Sequence, residues 1–215
     1  MRVPRPELLD SAAPTLAGAN LRDLARINRW FGGHRALLQI LKTLVDHPME
    51  RFTLLDVGAG SGDMGQCIRA HYPRVTVTSL DRRCFHLSRA GAPRVAADGF
   101  HLPFRAGTFD FVLCSSLLHH FPDSRATELI SALRPFARRS LIILDLERHL
   151  LPYWFLPMTK WLLNWSHMTV HDGRISVAAA FRPAELLSLA RAAGAAPGSI
   201  RRHRPWFRIS LVVPA

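Results

Sequence analysis

The stretch Leu54-Leu-Asp-Val-Gly-Ala-Gly-Ser-Gly-Asp63 constrains this chain more than any other. A short apolar run closes on an acid, Asp56, and then meets three glycines at alternate positions, Gly58, Gly60 and Gly62. The run suits a buried strand. Glycines after it permit a sharp bend and close backbone approach where a strand passes into a helix. In open α/β sheets, ligands bind beyond the carboxyl ends of the strands, so the bend marks the expected site.

The remaining pattern alternates strand with helix. Strands are predicted at 52–56, 75–80, 94–97, 109–114 and 140–145, with helices at 63–72, 83–90 and 123–137. The last of these strands holds a continuous Leu-Ile-Ile-Leu, as expected of a strand buried on both faces. This order predicts a doubly wound, mostly parallel α/β sheet. Ahead of it, Leu21, Leu24, Asn28 and Phe31 share a helical face. Gly32-Gly33 interrupts, and Leu37, Ile40, Leu41, Leu44 and Val45 resume the spacing until Pro48. Residues 1–20, with Pro4, Pro6, Pro14 and Gly18, show no period and read as a loosely held lead-in.

Past residue 148 the rhythm breaks. Residues 150–165 hold Tyr153, Trp154, Phe155, Trp161 and Trp165 with two prolines and one lysine, fitting neither a strand nor a membrane span. A helix at 183–193 and strands near 199–204 and 208–213 follow, the two strands forming an antiparallel hairpin. The expectation is one domain over 1–215 with seven strands. Residues 1–50 form a helical cap, 51–148 the ligand-binding core, 149–175 an aromatic-rich lid, and 176–215 the closing helix and hairpin.

Composition leaves the partner open. The 28 Lys and Arg against 16 Asp and Glu give a formal charge of +12, which suits nucleic acid. A basic RNA-binding or RNA-modifying protein is therefore the alternative, with contact expected at Arg201, Arg202 and Arg204. Yet only Lys42 and Lys160 are lysines, and an Arg- and Ala-rich chain is also what GC-biased coding yields. Cys67, Cys84 and Cys114 are widely spaced, with neither disulfide nor zinc spacing. With no apolar signal core at residues 1–7, a cytoplasmic location is expected.

The glycine spacing separates two cofactor classes. A dinucleotide fingerprint, Gly-x-Gly-x-x-Gly, would place its third glycine at 63, where Asp63 stands instead. A pyrophosphate would also meet two carboxylates, Asp56 and Asp63, so a nicotinamide enzyme is disfavoured. A zwitterion fits better, its ammonium near Asp56 and its carboxylate on amides at the helix start.

The pattern Asp56-Val-Gly58-Ala59-Gly60-Ser-Gly62 resembles the first motif of class I S-adenosylmethionine-dependent methyltransferases. Ser79-Leu-Asp81 resembles the end of that family's second strand, and Asp98-Gly99-Phe-His-Leu-Pro-Phe104 its acid after the third. Phe109-Asp-Phe-Val-Leu-Cys-Ser-Ser-Leu-Leu-His-His-Phe121 resembles the strand and loop facing the donor sulfur. The resemblance implies a Rossmann-like sheet and S-adenosylmethionine as cofactor. It implies a cofactor site of Asp56, Gly58, Ala59, Gly60, Gly62, Asp81 on the ribose with Arg82 beside it, Asp98 on the adenine with Gly99, and Ser115.

The acceptor is read from what is missing. The Asn/Asp-Pro-Pro-Tyr/Phe loop of nucleobase amine methylation is absent, since Cys114-Ser-Ser-Leu117 occupies its place. Paired carboxylates for a metal-dependent catechol reaction are also absent there, so no metal is expected. Cys114, at a strand end, reads as core. The remaining reading is O-methylation of a small hydrophobic acceptor, a phenolic or polyketide-like hydroxyl. A phenol with a pKa near ~10 gains from a neutral imidazole. His119 and His120 are the candidates for general base, or else they shape the pocket; His167 and His171 are rivals unless Asp172-Gly173 is a surface turn. The lid aromatics could cover the substrate, pack internally or lie on a membrane surface. The set Asn28-Arg-Trp-Phe-Gly-Gly33, the Leu-Leu-His-His-Phe loop and a long lid also resembles bacterial methyltransferases associated with type III polyketide synthases.

Overall fold

The predicted apolar runs pair into one seven-stranded sheet of order β3-β2-β1-β4-β5-β7-β6. The computed structural model describes residues 2–196 and 198–215. Strands β1 (Thr53–Val57), β2 (Thr76–Asp81), β3 (Arg94–Ala96), β4 (Phe109–Ser115) and β5 (Ala137–Leu146) run parallel, in register Leu55↔Thr78 and Leu55↔Val112. Strand β7 (Arg208–Pro214) pairs antiparallel with β5 and with β6 (Ser199–His203), the predicted closing hairpin.

Continuous apolar runs are needed because both faces are covered. Leu54, Phe111, Leu113, Ile142 and Leu144 pack with Leu37 and Leu41 of α3 (Gly33–Leu44) and Ile68 of α4 (Asp63–His71). Their alternates Leu55, Val112, Cys114, Leu141 and Ile143 pack with Leu129 of α5 (Asp123–Leu133) and Leu186 of α8 (Pro183–Ala192). Period-two alternation splits each run between two cores. Cys114 is buried in the second, and burial pushes its thiol well above the ordinary range.

Several expectations are corrected. Of the expected lead-in over 1–20, residue 1 lies outside the described residues, and residues 2–20 are not loosely held: α1 (Leu8–Ser11) and α2 (Pro14–Trp30) begin there. Pro14 sits in the first turn of α2, where a missing N–H is harmless. Arg2 is buried over the Phe181 ring, 3.7 Å from its centre, and donates to the Ala179 carbonyl and to Asp123. These anchors are far away in sequence, which local periodicity cannot register. The helix predicted at 83–90 reduces to a single 3-10 turn, His86–Arg89.

The segment expected to form a lid folds as two helices, α6 (Leu150–Leu163) and α7 (His167–Ala179), the second running past the expected end at 175. Pro152 falls in the first turn of α6; Pro157 lies inside it and leaves one helical bond unmade. Asp172-Gly173 is not a surface turn but the middle of α7. A Cβ on Gly173 would stand 2.2 Å from Leu156 Cδ1, so glycine lets α6 and α7 close on each other. Asp172 is buried and accepts from the Leu8 and Leu9 amides at 2.9 and 3.0 Å, capping α1.

Candidate active site

The carboxyl ends of β1, β2 and β4 open into a cavity of about 560 Å³, roofed by α1, α2, α6 and α7. Asp56, Gly58, Ala59, Gly60, Asp81, Arg82, Asp98, Gly99, Ser115, His119 and His120 all line it. Gly62, the remaining residue of the predicted set, lies behind the bend instead: a Cβ there would meet Ala90 Cα at 2.7 Å. Its φ of 74°, with 72° at Gly58 and 52° at Gly60, explains why the bend selects glycine.

The bend's amides depart from expectation. Ala59 N–H donates to the Leu80 carbonyl at 2.9 Å, Gly60 N–H to Asp81 Oδ2 at 3.0 Å, and Gly62 N–H to the Ala59 carbonyl at 2.8 Å. The first two donors stitch the bend to β2 and the third closes a turn within it. The glycines are therefore required by shape first.

The acids differ in state because their surroundings differ. Asp56 is fully buried, and burial with repulsion from Asp63 and Asp81 raises its pKa to about 7. Its Oδ2 has no protein partner. Asp81 is also deeply set, but His86 Nδ1 at 3.1 Å and the Arg83 and Gly60 amides overcome burial and hold it below the usual carboxylate range. Asp98 is exposed at the rim and accepts from the Phe100 amide at 3.0 Å, so it starts a turn as well as lining the cavity.

His119 and His120 occupy unequal environments. His119 is buried, its Nδ1 2.6 Å from Asp145 Oδ1 and its Nε2 3.6 Å from Glu7 Oε1. Burial alone would lower its pKa, but the two carboxylates raise it to about 10, while both carboxylates are held low in return. The ring is thus an imidazolium at neutral pH. His120 is half-buried, with ring nitrogens 3.8 Å from Glu7 Oε1 and 3.8 Å from Asp10 Oδ2. Glu7, His119 and His120 are also a grouping of metal-ligand chemistry, their atoms within 4.8 Å of one another, which the sequence reading did not foresee.

Other lining residues escaped the sequence reading. Glu7 and Asp10 come from the supposed lead-in, where flanking prolines hid them. Asn20 is buried in the cavity wall and neither amide atom has a protein partner. Its position between Ala17 and Leu21 on the inward face of α2 was the available signal. Arg208 is buried at the start of β7 and donates to Ser116 Oγ at 3.1 Å and Asn28 Oδ1 at 3.0 Å. Asn28 Nδ2 then donates to Asp63 Oδ2 at 3.0 Å, which His34 Nε2 meets at 2.9 Å. This chain of contacts ties α2 and β7 to the start of α4. The rival histidines lie on α7, where His171 Nδ1 is 2.9 Å from Asp172 Oδ1; neither lines the cavity. Arg202 and Arg204, expected at an RNA contact, both reach Glu147 Oε1, at 3.1 and 3.0 Å.

Comparison with known proteins adds family evidence. A family model described as a methyltransferase domain matches residues 25–197. A malonyl-[acyl-carrier protein] O-methyltransferase of Geobacter sulfurreducens is 34% identical over 90 residues, covering 38% of this chain. The chain spans about a third of that curated relative's length, 34%. An S-adenosylmethionine-dependent methyltransferase from Aquifex aeolicus superposes with a TM-score of 0.67 at 15% identity, over 94% of this chain and 98% of that one. Magnesium protoporphyrin IX methyltransferase from Synechocystis, solved with bound S-adenosylmethionine, gives 0.57 at 16% identity, over 85% and 79%.

Proposed function

The chain belongs to the methyltransferase-domain family, as a class I S-adenosylmethionine-dependent enzyme, and on that premise we propose that it methylates a hydroxyl oxygen of a small hydrophobic acceptor. One observation carries this reading. The acids at the ends of β1 and β2 and after β3 share a single cavity with His119, His120 and the apolar side chains Phe31, Phe155 and Leu156.

The residues present fit the cofactor. The unpartnered Asp56 Oδ2 suits an ammonium group, and Asp81 and Asp98 suit ribose and adenine, with Arg82, Gly99 and Ser115 beside them. Gly58 and Gly60 keep the bend free of side chains. With three bend amides already engaged, the residues that would hold the carboxylate tail are those at the start of α4 and Arg208. Bound S-adenosylmethionine supplies an electrophilic methyl on a sulfonium.

The chain's own part is to exclude water, orient the hydroxyl and take its proton. His119, paired with Asp145 and Glu7, has no free capacity for that proton and acts as a fixed cation. His120, half-buried beside it, takes the proton, with Glu7 and Asp10 positioned to steady the resulting charge. An aromatic, polyketide-like acceptor fits the apolar wall of Phe31, Phe155 and Leu156.

Titration calorimetry with S-adenosylmethionine tests the first half: binding by the wild type that drops at least tenfold in Asp81→Ala. Mass spectrometry of a phenol panel with labelled cofactor tests the second. A methyl ether formed by wild type, and a turnover loss in His120→Ala that lessens as pH is raised toward the phenol's own pKa, supports the base. Labelled product on carbon or nitrogen, or full activity in His120→Ala at neutral pH, refutes it.

A further inference from the structure

The outer face of α6 breaks the usual rule for a helix facing solvent. Its exposed residues are Leu150, Leu151, Trp154, Met158, Trp161 and Leu162, and no polar residue is among them. At ~100° per residue they fall within a stripe about 120° wide. Exposure is high at the key positions: 90% for Trp161, 83% for Leu162, 79% for Met158 and 74% for Leu150. A contiguous apolar face of this kind marks an interaction surface. The opposite face, through Pro152, Phe155 and Leu156, lines the cavity.

The surrounding charge identifies what the face meets. No acid occurs from residue 148 through residue 171. Cations sit at the edges of the aromatic cluster instead. Lys160 Nζ lies 5.7 Å from the Trp161 ring, and Arg174 lies 4.7 Å from Tyr153 and 5.0 Å from Trp154. Arg26 stacks 4.9 Å from the half-exposed Trp30 and 4.5 Å from Trp165, but it is already paired with Asp23 Oδ1 at 3.1 Å and the Leu163 carbonyl at 2.8 Å. Tryptophans at the level of lipid headgroups, aliphatic side chains deeper and cations on the phosphates describe an interfacial helix. Fourteen residues at ~1.5 Å each reach about 21 Å, short of the roughly 30 Å hydrocarbon core, so α6 can lie in the interface but not cross it. No described helix is long and apolar enough to cross a membrane.

We propose that α6 docks this protein on an anionic bilayer, its stripe of Leu150, Leu151, Trp154, Met158, Trp161 and Leu162 sunk to the acyl boundary and Lys160 and Arg174 on the headgroups. The net charge of +12 favours the same surface. The cavity then lies about one helix diameter, ~10 Å, from the lipid. The docking inference stands on α6 and its neighbours and does not depend on which acceptor the cavity takes.

The test is co-sedimentation of the full chain with large unilamellar vesicles, either pure phosphatidylcholine or a three-to-one mixture with phosphatidylglycerol. The wild type is expected to pellet with the anionic vesicles, more weakly as salt rises, and its tryptophan emission to shift to the blue. The charge-neutral double variant Trp161→Ser with Leu162→Ser is expected to weaken vesicle binding at least about tenfold, given the area withdrawn from lipid. Its circular dichroism and unfolding midpoint should match the wild type, because both side chains already stand in solvent. Lys160→Gln should reduce binding to anionic vesicles only. Failure of the wild type to pellet, or equal pelleting of the double variant, overturns the proposal. If light scattering shows a dimer that the same double variant dissociates, and vesicles are not bound, the face belongs to a second copy of the chain.

Discussion

Replacing Asp56 by asparagine should make the protein less sensitive to alkaline pH while disabling its cofactor site. Burial and the repulsion of Asp63 and Asp81 raise the folded-state pKa of Asp56 from 3.8 to about 7. The sign follows from linkage. An acid whose folded pKa lies above its unfolded value keeps its proton longer in the folded state, so stability falls as pH rises from about 4 through about 7. Each pH unit within that window is worth about 1.4 kcal/mol. Between about pH 5 and about pH 8.5 the wild type should thus lose on the order of 3 kcal/mol through this one group. In Asp56→Asn that slope disappears. A constant offset from the amide's own hydrogen-bonding needs shifts both ends equally, leaving the slope as the diagnostic.

The assay is urea unfolding of both proteins across that pH range, plotted as the difference in unfolding free energy. The difference should turn in favour of the variant as pH rises, by about 3 kcal/mol. A flat difference refutes the claim that Asp56 is a strained, unpartnered carboxyl. Calorimetry in two buffers of unlike ionisation heat supplies the counterpart. The wild type should release about half a proton on binding S-adenosylmethionine at pH 7, rising toward one near pH 6, since an incoming ammonium favours the carboxylate. The variant should release none from this site. A residue that destabilises the empty protein and is relieved by its ligand is what an electrostatic binding site predicts.

Two further outcomes follow from the same geometry. Gly62→Ala should cost at least about 2 kcal/mol in unfolding free energy, because it adds backbone strain to a clash with Ala90 Cα, whereas Gly194→Ala should cost about 1, its φ of 69° being similar but its surroundings empty; equal costs would refute the role of that contact. Asp145→Asn, which removes the 2.6 Å partner of His119, should destabilise the fold by about 3–5 kcal/mol at pH 7. The wild type, with His119 raised from 6.5 to about 10, should hold this contribution in full below about pH 6.5 and lose it as pH climbs toward 10, seen as a falling unfolding midpoint. A wild-type midpoint unchanged over that window would show that His119 is neutral.

Local rules sufficed wherever a requirement was local. The bend at Gly58, Gly60 and Gly62 could be read because positive φ is a property of single residues, and the acids at strand ends because parallel strands all deliver their carboxyl ends to one side. Continuous Leu-Ile-Ile-Leu in β5 announced burial on both faces, and the structure divides its residues between two cores. Tertiary structure decided whatever depended on distant partners. Glu7 and Arg2 look like solvated charges among prolines until α7 and the His119 loop close over them. Asp172-Gly173 carries a turn signal that is overruled, because Leu156 needs the space and the α1 amides need the carboxylate. The unequal surroundings of His119 and His120 likewise could not be told from two identical neighbouring letters. Burial and carboxylates drawn from residues 7 and 145 set the charge of the first, and no one-dimensional pattern contains a dielectric.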